Sequence, residues 1–215
     1  MLSYNTENYP FRDDHLEAAG DTECPEMLLR LLTTNEDVEV RREVARNPNC
    51  PSDLLKILAQ DEEEYVREGV AENVNCPVEI LETLVEDGCE SEVASNPNCP
   101  VELLEALSKD EYAGVRSCVA ENVNVPLELL EVLSKDKDEH VRSMVAENVK
   151  CPPELLEVLA KDKHENVRCR VANNANCPVG LLQVLAEDKH EDVRKFVAGN
   201  ANCPRELRFK IKFPN

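Results

Sequence analysis

The sequence has no tryptophan, only six glycines, and aromatics at 4% of 215 residues. So few glycines leave no room for a phosphate-cradling loop, and no nucleophile elbow or HExxH histidine pair is present. No apolar run approaches the roughly 18 residues that cross a bilayer. The opening residues lack a cationic segment followed by an apolar one, so no export leader is expected. Positive charge is also scarce, with 24 Lys plus Arg against 44 Asp plus Glu and a net charge of −20. Such a surface repels phosphate backbones and anionic lipid, so the expected partner is a basic protein or peptide, not nucleic acid or membrane. The 42% apolar content still supplies a core. The expectation is a folded cytoplasmic protein of one or at most two domains.

Proline marks a repeat. Pro25, Pro51, Pro77, Pro100, Pro126, Pro152, Pro178 and Pro204 are spaced by 26 residues, except for one step of 23. With each proline as position 1, seven units run 25–50, 51–76, 77–99, 100–125, 126–151, 152–177 and 178–203. They lie between an N-terminal cap at 1–24, whose segment from His15 to Cys24 reads as a worn half-unit, and a partial C-terminal unit at 204–215. Positions 4, 5 and 8 are almost always Leu, as at Leu54, Leu55 and Leu58, position 16 is usually Val, and positions 20 and 21 are Val and Ala in all seven units. Spacings of one and four residues place these side chains on one helical stripe, so each unit is a pair of short helices. The repeat proline suits the first position of the first helix. The second helix is expected to end at the Asn of position 23, present in all seven units, in the left-handed conformation that Asn tolerates. One unit cannot bury its own stripe, so the fold class is all-α, a right-handed α-solenoid of stacked units.

The alternating Leu of an ordinary leucine-rich repeat is absent. The run from Cys151 to Asp162, CPPELLEVLAKD, followed by VRxxVAxN from Val167 to Asn174, instead resembles the leucine-rich repeat variant family. The likeness extends over about residues 24–211. It implies alternating α and 3-10 helices in a right-handed superhelix, so the first helix of each unit is expected to be partly 3-10. A looser likeness to HEAT and armadillo-like solenoids lies in an Asp and an Arg six positions apart. It implies a structural ladder between neighbouring units through Asp61, Arg67, Asp110, Arg116, Asp136, Arg142, Asp162, Arg168, Asp188 and Arg194, with Arg41 and Asp87 in equivalent places.

Ten cysteines invite a metal or disulfide reading. One founding member of the variant family carries an iron–sulfur cluster in a Cys-rich N-terminal domain, but here the first 49 residues hold only Cys24. Cys24, Cys50, Cys76, Cys99, Cys151, Cys177 and Cys203 all precede a repeat proline, at position 26, where stacked units place them about 8–10 Å apart. Disulfides and thiolate-bound zinc both need closer sulfurs. Val125 holds the same place in the fourth unit, so these are core fillers, and no cofactor, metal or catalytic residue is expected. In the short unit Cys89 falls on the Val position and Glu90 replaces the ladder Arg, which predicts a local break at residues 87–91. Cys118 and Cys169 are expected to be exposed, and free thiols in this number point to a reducing compartment. The EF-hand-like run from Asp136 to Glu147 has Val141 where that loop needs Gly.

Function is left to the positions the repeat releases. Position 19 passes through Glu43, Gly69, Glu92, Cys118, Met144, Arg170 and Phe196, and position 22 adds Glu72, Glu121 and Glu147. The candidate partner-binding residues are Tyr65, Glu72, Cys118, Glu121, Met144, Glu147, Arg170 and Phe196, with Met144 and Phe196 as anchors. The expected role is a non-catalytic scaffold for protein–protein interaction. Two alternatives stay open: a metal- or iron–sulfur-carrying redox protein of the variant type, and an end-to-end self-assembling protein. Self-association draws on polarity, since the first 24 residues carry −5 and the tail from Pro204 carries +3. Tyr4, Tyr9, Phe11, Phe209 and Phe213 lie outside the full units and are expected to cap the ends.

Overall fold

The structure, a computed structural model, describes residues 12–213. Among them are sixteen α-helices and no strand. The chain divides into two compact units, residues 1–100 and 101–215, each a stack of helix pairs. The first comprises α1 (Arg12–Gly20), α2 (Glu26–Leu32), α3 (Val38–Arg46), α4 (Ser52–Leu58), α5 (Glu64–Glu72), α6 (Val78–Glu86) and α7 (Glu90–Ser95). The second comprises α8 (Val101–Leu107), α9 (Ala113–Glu121), α10 (Leu127–Leu133), α11 (Glu139–Glu147), α12 (Pro153–Leu159), α13 (Glu165–Asn173), α14 (Val179–Leu185), α15 (Glu191–Gly199) and α16 (Arg205–Lys212). Each stack is an α-solenoid built from the repeat.

The second helices carry the stack. α1, α3 and α5 pack side by side in the first unit, and α9, α11, α13 and α15 do so in the second, while each first helix rests on its own second helix. The Leu of positions 5 and 8, the Val and Ala of positions 20 and 21 and the Cys of position 26 are buried throughout. α5 approaches α3 closely at Gly69, where a Cβ would stand 3.1 Å from the Arg42 carbonyl oxygen and 3.2 Å from the Ala45 Cβ.

Three local expectations are corrected. The first helices are α-helical and not 3-10, although their first turn shares the proline carbonyl between two donors, as when Leu54 and Leu55 both donate to Pro51 at 3.0 Å. The repeat proline stands one residue outside the helix, as at Pro51 with φ −63° and ψ 148°. Only where a second proline follows, at Pro153, does proline occupy the first turn. The position-23 Asn is extended, as at Asn174 with φ −63° and ψ 130°, and among the described residues no non-glycine residue has a positive φ. Its conservation across units has another cause.

That cause is a buried asparagine ladder. At Asn174 and Asn200 the Nδ2 donates twice to the preceding unit: Asn174 to the carbonyls of Ala146 at 2.7 Å and Asn148 at 3.1 Å, and Asn200 to Ala172 at 2.7 Å and Asn174 at 3.0 Å. The Oδ1 accepts the N–H two residues on, as from Asn176 at 2.7 Å. All three main hydrogen-bonding sites of the amide are thereby used, and carbonyls left without intrahelical donors at each helix end are satisfied. In the first unit Asn47, Asn73 and Asn96 repeat the arrangement, and Asn47 reaches Ala19 and Asp21 of the degenerate leading half-unit.

A second ladder, of charges, runs along the other end of the helices. Arg41, Arg116, Arg142 and Arg168 each grip the carboxylate of the next unit, Asp61, Asp136, Asp162 and Asp188, with Nε at 2.6–2.7 Å and Nη2 at 2.9–3.0 Å. Each Arg also donates from Nη1 to the carbonyl six residues before it, as Arg142 does to Asp136 at 2.7 Å. Each of these Asp side chains also caps its own turn, Asp162 accepting from the His164 N–H at 2.9 Å. Upstream the series ends in a rung of different residues, with Asn35 Nδ2 3.1 Å from His15 Nδ1.

The implied ladder is incomplete at three places. Arg67 lacks a carboxylate, because the deletion in the short unit replaces the capped turn by a glycine-closed helix end. There Gly88 has φ +90° and Cys89 donates its N–H back to Leu84 at 3.0 Å. Asp87 is left exposed. Arg194 donates only from Nη1, to the Asp188 carbonyl at 2.6 Å. Asp110 caps the Tyr112 N–H at 2.8 Å and accepts Arg116 Nη1 on its carbonyl, but the position-17 residue before it is Glu90.

At the C-terminal end, Phe209 and Phe213 pair at 4.9 Å between centroids but remain 66% and 62% exposed. They do not cover the core as expected, and the cap comes from half-buried Leu207, Arg208 and Ile211. Tyr4, Tyr9 and Phe11 lie outside the described residues.

Candidate functional site

The candidate residues fall into the two compact units and are taken within each. In the second unit Cys118, Met144, Arg170 and Phe196 occupy the same place on α9, α11, α13 and α15. These helices pack neighbour to neighbour, so the four side chains form one row. Steps of about 8–10 Å make it some 24–30 Å long. Cys118, Met144 and Arg170 are half-buried, and Phe196 is exposed at 39%. Beside them Glu121 and Glu147 are exposed. Glu147 accepts from Arg170 at 2.8 Å, an ion pair open enough to solvent to rearrange around a partner. Cys169 belongs to the core instead: it is buried, against the expectation that it would be exposed.

In the first unit Tyr65 is 58% exposed at the start of α5, with the Arg42 guanidinium 5.9 Å from its ring centroid. Glu72 is half-buried and forms an ion pair with Arg46, its Oε2 lying 2.7 Å from Nε. Glu92, on α7, has its carboxyl pushed above the usual range by burial, with Glu68, Glu72 and Glu90 adding repulsion. Within the first unit these carboxylates form an acidic cluster around Glu92.

A further row escaped the sequence reading. Val132, Val158 and Val184, at position 7 of α10, α12 and α14, are 57–67% exposed. The signal was available, since position 7 is apolar in six of the seven units, Thr83 being the exception, while lying at the edge of the Leu stripe.

Five of the position-26 thiols are chemically quiet. Burial pushes Cys50, Cys76 and Cys151 up to about 12 and Cys99 and Cys177 up to about 11, far from thiolate reactivity at neutral pH. Each Sγ lies 3.7–4.0 Å from the carbonyl oxygen of the following proline, in a small buried slot. Among the described residues no group of three or more His, Cys, Asp or Glu is arranged to hold a metal ion. His164 and His190 precede α13 and α15, and the EF-hand-like run is occupied by the Arg116–Asp136 rung and α11. In the ladder, the hydrogen bond from Arg116 holds the Asp136 carboxyl below its ordinary range, against burial, and Arg168 does the same for Asp188.

The leucine-rich repeat variant family model matches residues 38–63, which cover α3, the asparagine turn, α4 and the Asp61 cap. A solved structure described as a leucine-rich repeat variant with a novel repetitive protein structural motif aligns over 87% of this chain and 80% of its own, at 26% identity and a TM-score of 0.58. One repeat length of the chain thus matches the leucine-rich repeat variant model, and most of the chain is similar to a solved structure of that description. An engineered protein of solved structure covers 91% of this chain and 89% of its own, at 15% identity, but its TM-score of 0.25 carries no argument. No curated protein matches. The fixed positions of the repeat are accounted for by core and ladders, while the second-helix row is made of variable ones. No described helix is long and apolar enough to cross a membrane.

Proposed function

We propose that the protein is a non-catalytic scaffold that binds a basic, partly apolar protein or peptide along the second-helix row. The observation that carries this reading is the alignment of Cys118, Met144, Arg170 and Phe196 on four successive packed helices. The row is 24–30 Å long by the helix spacing, about the reach of an eight-residue extended peptide. Met144 and Phe196 offer apolar anchors, and the carboxylates of Glu121 and Glu147 favour cationic side chains between them. The Glu92 cluster and the Tyr65 ring give the first unit the same preference for a cation. Repeat proteins of this kind bind through extended surfaces made of their variable positions. The redox reading has no support in the residues, since the position-26 thiols are dispersed in separate buried slots, and burial raises the pKa of Cys50, Cys76, Cys99, Cys151 and Cys177.

The test is selection of random peptides on the immobilised protein at low and at high salt. Recovered sequences should carry Lys or Arg beside Leu, Met or aromatic residues and be lost at high salt. Binding should fail in the Met144→Ala, Phe196→Ala double variant and persist in Val132→Ser, Val158→Ser. The reverse pattern would move the site to the position-7 row, and no selective recovery would end the proposal.

A further inference from the structure

The charge ladder breaks once within the first unit, and the break leaves a vacancy of defined chemistry. Arg67 donates from Nη1 to the carbonyls of Asp61 at 2.9 Å and Glu62 at 3.2 Å, as its counterparts do. Its Nε, however, is buried and has no hydrogen-bond partner. In the four intact rungs the same Nε, together with Nη2, chelates both oxygens of an aspartate. The molecule thus shows four times what this guanidinium edge accepts. A planar fork of two donors matches the two oxygens of a carboxylate, as all four intact rungs show. The residue due to arrive is Asp87, but the three-residue deletion and the Gly88 closure leave it exposed.

What stands beside Arg67 instead is an open groove of about 700 Å³ between α4 and α6, lined among others by Lys56, Ile80, Thr83 and Asp87. Asp61 also borders it, but that carboxylate is held by Arg41 at 2.7 Å. The uncommitted charges on the rim are Lys56 and Arg67 against Glu79 and Asp87. This balance is unlike the acidic excess of the chain as a whole. A buried donor without a partner costs free energy that an arriving acceptor recovers, so an incoming carboxylate is favoured here by more than a surface pairing would provide.

We propose that the groove at Arg67 is a carboxylate-binding site, in which a ligand carboxylate seats on Nε and Nη2 as Asp61 seats on Arg41. The ligand is an exposed acidic side chain or chain terminus of a partner protein, or a small free carboxylate. The site lies apart from the second-helix row and does not depend on it.

The test follows the arginine Nε–Hε resonances of the full-length protein by nuclear magnetic resonance, with the Arg67 signal assigned by its loss in Arg67→Lys. Sodium acetate is titrated against sodium chloride at constant ionic strength. N-acetyl-alanyl-alanine and its C-terminal amide are titrated in parallel. The Arg67 signal should move saturably with acetate and with the acid dipeptide, and not with chloride or the amide, while the signals of Arg116, Arg142 and Arg168 stay fixed. Tighter binding of the dipeptide than of acetate assigns the site to a partner chain, and equal binding to free carboxylates. Inserting three residues between Asp87 and Gly88 restores the unit to full length, brings Asp87 onto Arg67, and should abolish the response. An Arg67 signal indifferent to acetate overturns the proposal. So does a signal in the free protein that moves on Asp87→Asn, because Asp87 would then already fill the vacancy.

Discussion

Replacing Asn174 by alanine should be among the most destabilising single changes in the second unit, and the structure gives the reason bond by bond. The Asn148 side chain takes the Lys150 N–H at 2.8 Å, so the Ala146 carbonyl at the end of α11 loses the donor that would have come from four residues on. Asn174 Nδ2 supplies the substitute at 2.7 Å, donates again to Asn148 at 3.1 Å, and its Oδ1 accepts from Asn176 at 2.7 Å. Three hydrogen bonds, two buried and one partly buried, at about 1 kcal/mol each, plus about 1–2 kcal/mol for an unpaired carbonyl, give an expected cost of about 4–5 kcal/mol. That is a large part of the roughly 5–15 kcal/mol that holds a domain folded. Asn174→Asp keeps the shape but presents a carboxylate to two carbonyl oxygens. It should cost more than alanine at pH 7 and recover part of the loss on acidification, because the buried carboxyl binds its proton more tightly in the folded than in the unfolded chain. Urea unfolding followed by circular dichroism at 222 nm measures all three proteins. Asn176→Ala is the control: its Nδ2 makes one exposed bond, to Val149 at 2.6 Å, for a cost of about 1 kcal/mol. If Asn174→Ala costs no more than Asn176→Ala, the ladder does not carry the stack.

The charge ladder predicts a contrast between Asp162→Asn and Asp87→Asn. The first breaks a pair whose side chains are only 8% and 10% exposed and should cost about 3 kcal/mol, while the second should stay within about 0.5 kcal/mol, both read from denaturant midpoints. Because Asp136 and Asp188 have folded pKa values below the ordinary carboxylate range, their contribution is present above about pH 4 and lost as pH falls through the folded values. Melting temperatures should therefore drop steeply below pH 4, and less steeply in a protein carrying Asp136→Asn and Asp188→Asn. The buried thiols act at the other end of the scale. Cys50, Cys76 and Cys151 are raised from 9.0 to about 12, so the unfolded chain ionises first and stability should fall as pH rises from 9. Cys151→Val, which copies the native Val125, should change stability by under about 1 kcal/mol, whereas Cys151→Ser should cost about 1–3 kcal/mol by burying a hydroxyl, as calorimetry would show.

Much of the fold was legible because a repeat is its own alignment. The Leu, Val and Ala positions announce a helical stripe seven times over, and Val125 in a cysteine slot identifies a filler rather than a ligand. The break at residues 87–91 was legible for the same reason, from three missing residues and Glu90 in place of Arg. The Asn of position 23 was visible as a fixed letter but not as a ladder, since its partners lie 26 and 28 residues away and only stacking brings them within reach. The candidate row was readable as variable positions. Its partial burial, the Arg170–Glu147 pairing and the greater exposure of the position-7 valines were not.

Local periodicity and repetition are properties of the chain, so the letters alone specify a series of short helix pairs with buried Leu, Val, Ala and Cys. Which polar groups hold the series together is a matter of packing. Hydrogen bonds and ion pairs depend on distances of about 3 Å between residues 20 to 28 apart in sequence, and such distances exist only once neighbouring units have packed. Arg67 shows the difference most sharply. Its letter is that of every other ladder arginine, and the loss of three residues further along the chain leaves its guanidinium edge open.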